Sequence, residues 1–114
     1  MRKRLHSLPL SEIRIHDGFW SRYIQNVRNG LAYQWEALND RLPDTEKSYC
    51  MHNFKVAAGL EEGEFGGMCF QDSDVAKWLE GVAYYLELNP DEELERTADE
   101  AIDIIGKAQK EDGY

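Results

Sequence analysis

Between Asp72 and Gly113 the apolar residues recur at three- and four-residue steps twice over, with one polar interruption at Asn89-Pro90-Asp91-Glu92. Val75, Trp78, Leu79, Val82 and Leu86 make the first stripe; Leu94, Ala98, Ala101, Ile102, Ile105 and Ala108 make the second. That period places each set on one face of a helix. The interruption is too short to do anything but reverse the chain. Asn89 suits an N-cap, Pro90 the first helical position, and Glu92 a capping-box spacing. The stretch is therefore predicted to be an αα-hairpin closed by Asp112-Gly113. In a tight hairpin the helices run antiparallel, so the segment before the first helix and the segment after the second meet at one end. A functional site is expected there.

The rest of the chain reads around this hairpin. Residues 11–16 alternate as a short edge strand would, and Asp17-Gly18 marks a turn. A helix is predicted over residues 20–41, with Tyr23, Ile24, Val27, Leu31, Trp35 and Leu38 as its buried stripe. Residues 42–49 contain Pro43 and form a loop. A short helix follows over residues 53–59, with Asn53 as its N-cap and Gly59 as its stop. Gly63, Gly66 and Gly67 make residues 60–70 a loop whose backbone can approach a neighbour closely. The fold class is all-α. The hairpin finds no third partner before Tyr114, which predicts an incomplete piece of a larger helical assembly.

Charge excludes one class of partner. A formal net charge of −9 over 114 residues argues against nucleic acid, whose phosphates require clustered Lys and Arg. Arg2-Lys3-Arg4 is read as a solvated tail. No apolar run reaches the roughly 20 residues that span a bilayer, so no membrane partner is expected. The basic start lacks a signal-peptide apolar region, and two cysteines make no disulfide framework; a cytoplasmic location is expected.

Cys50, His52 and Cys69 lack the paired spacing of a structural zinc site, and both thiols are read as small buried residues rather than metal ligands. Asp72 and Asp74 invite a paired-carboxylate reading, yet acids two residues apart at a helix start more often cap it. Capping and a hydrogen bond to a sugar hydroxyl are compatible, because a carboxylate has several lone pairs. Trp35 and Trp78 lie on apolar stripes and belong to the core, whereas Phe19 and Trp20, where the first helix begins, suit the core or stacking on a sugar face equally. His52-Asn53, at the start of the short helix beside the glycine loop, and Gln109, Asp112 and Tyr114, at the hairpin end, are further candidates to line a pocket with Gln71, Asp72 and Asp74.

Five segments in order carry a family resemblance: Gly18-Phe19-Trp20, Tyr33-Gln34-Trp35, Asn53-Phe54-Lys55-Val56-Ala57-Ala58-Gly59, Phe70-Gln71-Asp72-Ser73-Asp74-Val75-Ala76-Lys77-Trp78-Leu79-Glu80, and Ala108-Gln109-Lys110-Glu111-Asp112-Gly113-Tyr114. Together they resemble the N-terminal part of glycoside hydrolase family 127, the β-L-arabinofuranosidases. The resemblance implies the N-terminal part of an (α/α)6 toroid, with residues 1–18 as an arm and residues 19–114 as a truncated segment of the catalytic toroid. It implies a parent enzyme that releases non-reducing-end β-L-arabinofuranose with retention from an arabinofuranosyl oligosaccharide. Such an enzyme uses a cysteine nucleophile, a glutamate acid/base and a zinc ion held by cysteines and a glutamate. Those residues lie downstream in the family, so no catalytic residue and no metal ligand is assigned within this segment, which alone is expected to be inactive and to associate with its own copies as a homo-oligomer. The competing reading is a stand-alone acidic helical module that binds a protein partner without catalysis.

Overall fold

A computed structural model describes residues 6–114; the basic cluster Arg2-Lys3-Arg4 lies outside the described residues. The described part is all-helical. Residues 11–16 do not form the expected strand: a 3-10 turn occupies Leu10–Glu12 and unpaired extended backbone follows. A lone alternating stretch has no neighbouring strand to bond to, so its pattern goes unused.

Helix α1 runs Gly18–Leu38 and begins two residues earlier than its apolar pattern suggests, because Asp17 caps it. The Asp17 carboxylate accepts from the backbone N–H of Phe19 (2.9 Å) and Trp20 (2.7 Å). Only Leu31, Trp35 and Leu38 of the expected stripe are buried; Ile24 is half-buried, and Tyr23 and Val27 are exposed. The core thus touches the C-terminal half of α1 alone. Asp40, in the left-handed region at φ 57°, turns the chain away. Its carboxylate then accepts from the N–H groups of Ser48 and Tyr49, fixing the start of the next helix.

Helix α2 spans Cys50–Ala57. Asn53 sits inside it rather than at its cap, since Tyr49 in a left-handed conformation already starts the helix. Gly59 does stop it, at φ 68°, with its N–H on the Val56 carbonyl. Helices α3 (Ser73–Leu88) and α4 (Glu92–Ala108) form the predicted hairpin. The residue that caps α4 is Asp91, which accepts from the Leu94 N–H at 2.9 Å. Asn89 instead closes α3, donating its side-chain amide to the Tyr85 carbonyl. Pro90 therefore precedes the cap, and Glu92 is the first helical residue, too early for a capping box.

Helix α1 lies against α3 and α2 chiefly against α4, so the hairpin is held from two sides. Leu31, Trp35 and Leu38, Cys50 and Met51, Val75, Trp78 and Val82, and Leu94, Ala98, Ala101 and Ile104 form one continuous core. At its centre the rings of Trp35 and Trp78 stack with centroids 4.7 Å apart. The Trp78 indole N–H donates to the Leu31 carbonyl at 2.9 Å, satisfying the one polar group this residue buries. Ile104 takes the buried place expected of Ile102, which is exposed.

Candidate functional site

The hairpin geometry brings its two polar ends together, as the short α3–α4 connection requires. A cleft of about 690 Å³ opens where the start of α3 and the end of α4 meet α2 and the glycine loop. Asp72, Gln109 and Tyr114 line it, and so do Asn53, Phe65, Met68 and Cys69. The cleft floor is apolar, formed by Phe54, Ala57, Ile105 and Ala108.

Asp72 does not cap α3. Its own backbone is already helical (φ −58°, ψ −29°), whereas a capping side chain folds back only from an extended residue. The carboxylate turns instead toward α2, where its Oδ1 accepts from Asn53 Nδ2 at 3.2 Å. Asn53 does more than hold Asp72. Its Nδ2 also donates to the Gly66 carbonyl and its Oδ1 accepts from the Gly66 N–H, each at 3.0 Å. One side-chain amide thus satisfies both backbone groups of a loop residue and fixes the carboxylate beside it.

Gly66 is where the loop needs a glycine: a Cβ there would lie 2.5 Å from the Tyr49 ring. The close approach expected of this loop is made to that ring. Asn53 was legible as a helix cap and, with His52, as a pocket-lining candidate; the bonds that place it need a contact thirteen residues away that no local pattern encodes.

The other candidates stand apart from the cleft wall. Gln71 accepts from the Met68 N–H and offers its carbonyl to the Cys50 thiol at 3.0 Å. Asp74 pairs with Lys77 at 2.8 Å, on the side of α3 that faces α1, beside Trp78, Cys50 and Gln34. Asp112 accepts from the Tyr114 N–H at 3.1 Å and shapes the terminal turn. In that turn Gln109 donates to the Gly113 carbonyl at 2.8 Å. His52 lies in a separate recess with Asp40, Lys47, Lys55 and Glu61. Its Nδ1 is 2.7 Å from Glu61 Oε1 and its Nε2 is 3.0 Å from the Glu64 carbonyl.

The two cysteines differ, contrary to the shared buried role expected of them. Cys50 is buried, and burial pushes its thiol above the ordinary range. Cys69 is exposed on the cleft. Among the described residues no three His, Cys, Asp or Glu side chains converge to hold a metal ion, and no helix is long and apolar enough to cross a membrane.

Comparison with known proteins accords with this architecture. The family model described as "Beta-L-arabinofuranosidase, GH127 catalytic domain" matches residues 12–114. A curated non-reducing end beta-L-arabinofuranosidase of Bifidobacterium longum subsp. longum is 43% identical over 115 residues, covering 90% of this chain and 18% of that protein. The crystal structure of a GH127 beta-L-arabinofuranosidase from Geobacillus stearothermophilus T6 superimposes with a TM-score of 0.84 at 59% identity. That match takes in 89% of this chain and 16% of the other. The chain thus spans less than a fifth of the length of either relative.

Proposed function

This chain belongs to the GH127 β-L-arabinofuranosidase catalytic-domain family, and from that premise we propose that it is the N-terminal segment of a retaining glycoside hydrolase that releases non-reducing-end β-L-arabinofuranose from arabinose-containing glycans. In this reading α1 to α4 are the opening helices of an (α/α)6 toroid, and the cleft at the hairpin end is one wall of the sugar site. The observation that supports the placement is the meeting of Asp72, Gln109 and Tyr114 at that cleft. Asp72 belongs to the segment through which the chain resembles the family most strongly, and Gln109 and Tyr114 to another of the five.

The chemistry this segment supplies is binding and orientation. With Asn53 holding Oδ1 of Asp72, Oδ2 is left to accept from a sugar hydroxyl. A carboxylate fixed in this way has little orientational freedom to lose when substrate arrives. The apolar floor suits the C–H face of a furanose ring. Zinc enters the proposal only through residues beyond this segment. No metal-bound step is placed on Cys50 or Cys69, whose thiols lie in different surroundings. A cytoplasmic location goes with this reading, supported by the two free thiols.

The test uses the protein at its full natural length and an aryl β-L-arabinofuranoside. Asp72→Ala should lower kcat/KM per folded molecule by about 10- to 100-fold, the worth of a hydrogen bond to a charged group in the transition state. Asp74→Ala, which breaks only the pair with Lys77, should stay within about twofold. Equal activity of the Asp72 variant and the unmodified enzyme would move the sugar site away from this cleft.

A further inference from the structure

The placement of His52 carries an inference that stands whichever ligand the cleft takes. A neutral imidazole has one N–H and one lone pair, whereas the imidazolium has two N–H groups. Both ring nitrogens of His52 face acceptors: the Glu61 carboxylate at 2.7 Å and the Glu64 carbonyl at 3.0 Å. Two acceptors on one ring are satisfied together only by the doubly protonated form. The neutral ring must turn a lone pair toward one of them.

The two acceptors belong to the loop that continues into Phe65, Gly66 and Gly67, which line the cleft. The ring itself is carried on α2, a fixed part of the core through Cys50 and Met51. Gly63 makes room for it: a Cβ there would lie 3.1 Å from the imidazole, and φ is +152°. We propose that His52 is a proton-operated pin, which ties residues 61–64 of the loop to α2 when doubly protonated and, on losing one proton, releases them up to Gly66, which Asn53 still holds.

The charges around the ring favour this arrangement. Glu61 is in direct contact, and Asp40 approaches from the turn after α1; against them stand Lys47 on the same turn and Lys55 on α2. Lys55 is drawn aside by Asn39, whose Oδ1 accepts from its ammonium at 3.0 Å. Tyr49 packs against the imidazole in a T-shaped pair, with ring centroids 5.8 Å apart. In consequence the imidazole titrates above its ordinary value of 6.5, chiefly through the bond to Glu61 and then the bond to the Glu64 carbonyl. A raised value fixes the sign. The tie is complete below about pH 6.5, the unfolded value, and is lost as pH rises through the higher folded value.

Hydrogen–deuterium exchange on the protein at its natural length reads this directly, with each rate corrected for the intrinsic pH dependence of amide exchange. Protection of peptides within residues 60–65 should fall severalfold between about pH 5.5 and about pH 8.5, while α3 and α4 peptides hold theirs. His52→Gln should make the loop's protection independent of pH, and Glu61→Gln should move the transition to lower pH. Should His52→Gln lose protection in α3 and α4 as well, the Glu61→Gln shift decides instead. Constant protection in the unmodified protein, or a pH dependence that survives removal of the imidazole or the carboxylate unchanged, would overturn the proposal.

Discussion

Asn53 and Asp72 share a hydrogen bond, yet their removal should not cost the same. Asp72→Ala gives up one contact at 3.2 Å to a charged acceptor, a loss of about 1.5–3 kcal/mol. Asn53→Ala removes that contact and also strips both backbone groups of Gly66 of their partner. An unsatisfied, partly buried amide costs about 1–3 kcal/mol, so Asn53→Ala should be the more damaging change in urea denaturation. Equal midpoints for the two variants would mean that water replaces the amide freely and that the Gly66 loop is held by something else. Of the cleft residues, Asp72, Gln109 and Tyr114 were legible in the sequence because the hairpin argument alone brings them together. Asn53 was a pocket-lining candidate beside His52, but its hold on Gly66 was not legible, nor were Phe65 and Cys69. Their roles come from a loop folding back over α2, and a glycine-rich stretch announces that such an approach occurs without saying to what.

At the scale of the helices, the tie between α1 and α4 is a charged one. Arg28 on α1 meets Asp91 at 2.7 Å and Glu93 at 2.9 Å, with the Arg28 and Asp91 side chains only 17% and 21% exposed. Asp91 thus serves α4 twice, as its cap and as the anchor of α1. The Arg28 bond, with help from the Leu94 N–H, holds the Asp91 carboxyl below its usual range. A depressed value means that its stabilisation is present above about pH 4 and lost as pH falls through the folded value. Asp91→Asn keeps the cap but not the charge. It should lower stability by about 1–3 kcal/mol at neutral pH, and the gap to the unmodified chain should close on acidification. A gap that stays constant as pH falls would assign the effect to packing. The same helix shows where periodicity stops being informative. At 100° per residue, Ile102 and Ile104 lie on opposite margins of the α4 stripe, each about 80° from Leu94. Sequence gives the stripe and not the side on which a neighbour will sit; the packing of α2 and α3 buries Ile104 and leaves Ile102 in solvent.

The described chain has a radius of gyration of 17.4 Å, against about 13 Å for a compact domain of this length. The N-terminal half of α1 carries apolar residues without core to receive them. Phe19, Trp20, Tyr23 and Val27 are each about half exposed. The three aromatic rings cluster among themselves, Phe19 lying 5.1 Å from Trp20 and 4.9 Å from Tyr23. Contiguous apolar patches of several hundred Å² promote association. The 114-residue chain on its own should therefore sediment as concentration-dependent oligomers, and the pair Phe19→Glu with Tyr23→Glu should shift it toward monomer. A monodisperse monomer at about 100 µM, well within the range where such patches act, would show that this face needs no cover. The apolar pattern of α1 was readable over its whole length, but periodicity cannot say how much of a stripe the rest of the fold will reach.

The stacked indoles of Trp35 and Trp78 also give the molecule an optical signature of its own architecture. Two chromophores 4.7 Å apart, held rigidly in a chiral setting, couple the strong transitions of their indoles and produce a paired far-ultraviolet dichroism band that neither would show alone. Because one indole rides on α1 and the other on α3, that band disappears when those helices separate, even if the α3–α4 hairpin survives. The third tryptophan, Trp20, stands in solvent at 55% exposure. It contributes red-shifted emission that a dissolved quencher extinguishes first. Dichroism and quenching therefore resolve two events that a single melting curve would merge: the undocking of α1 from the hairpin, and the covering or uncovering of the aromatic face at its other end.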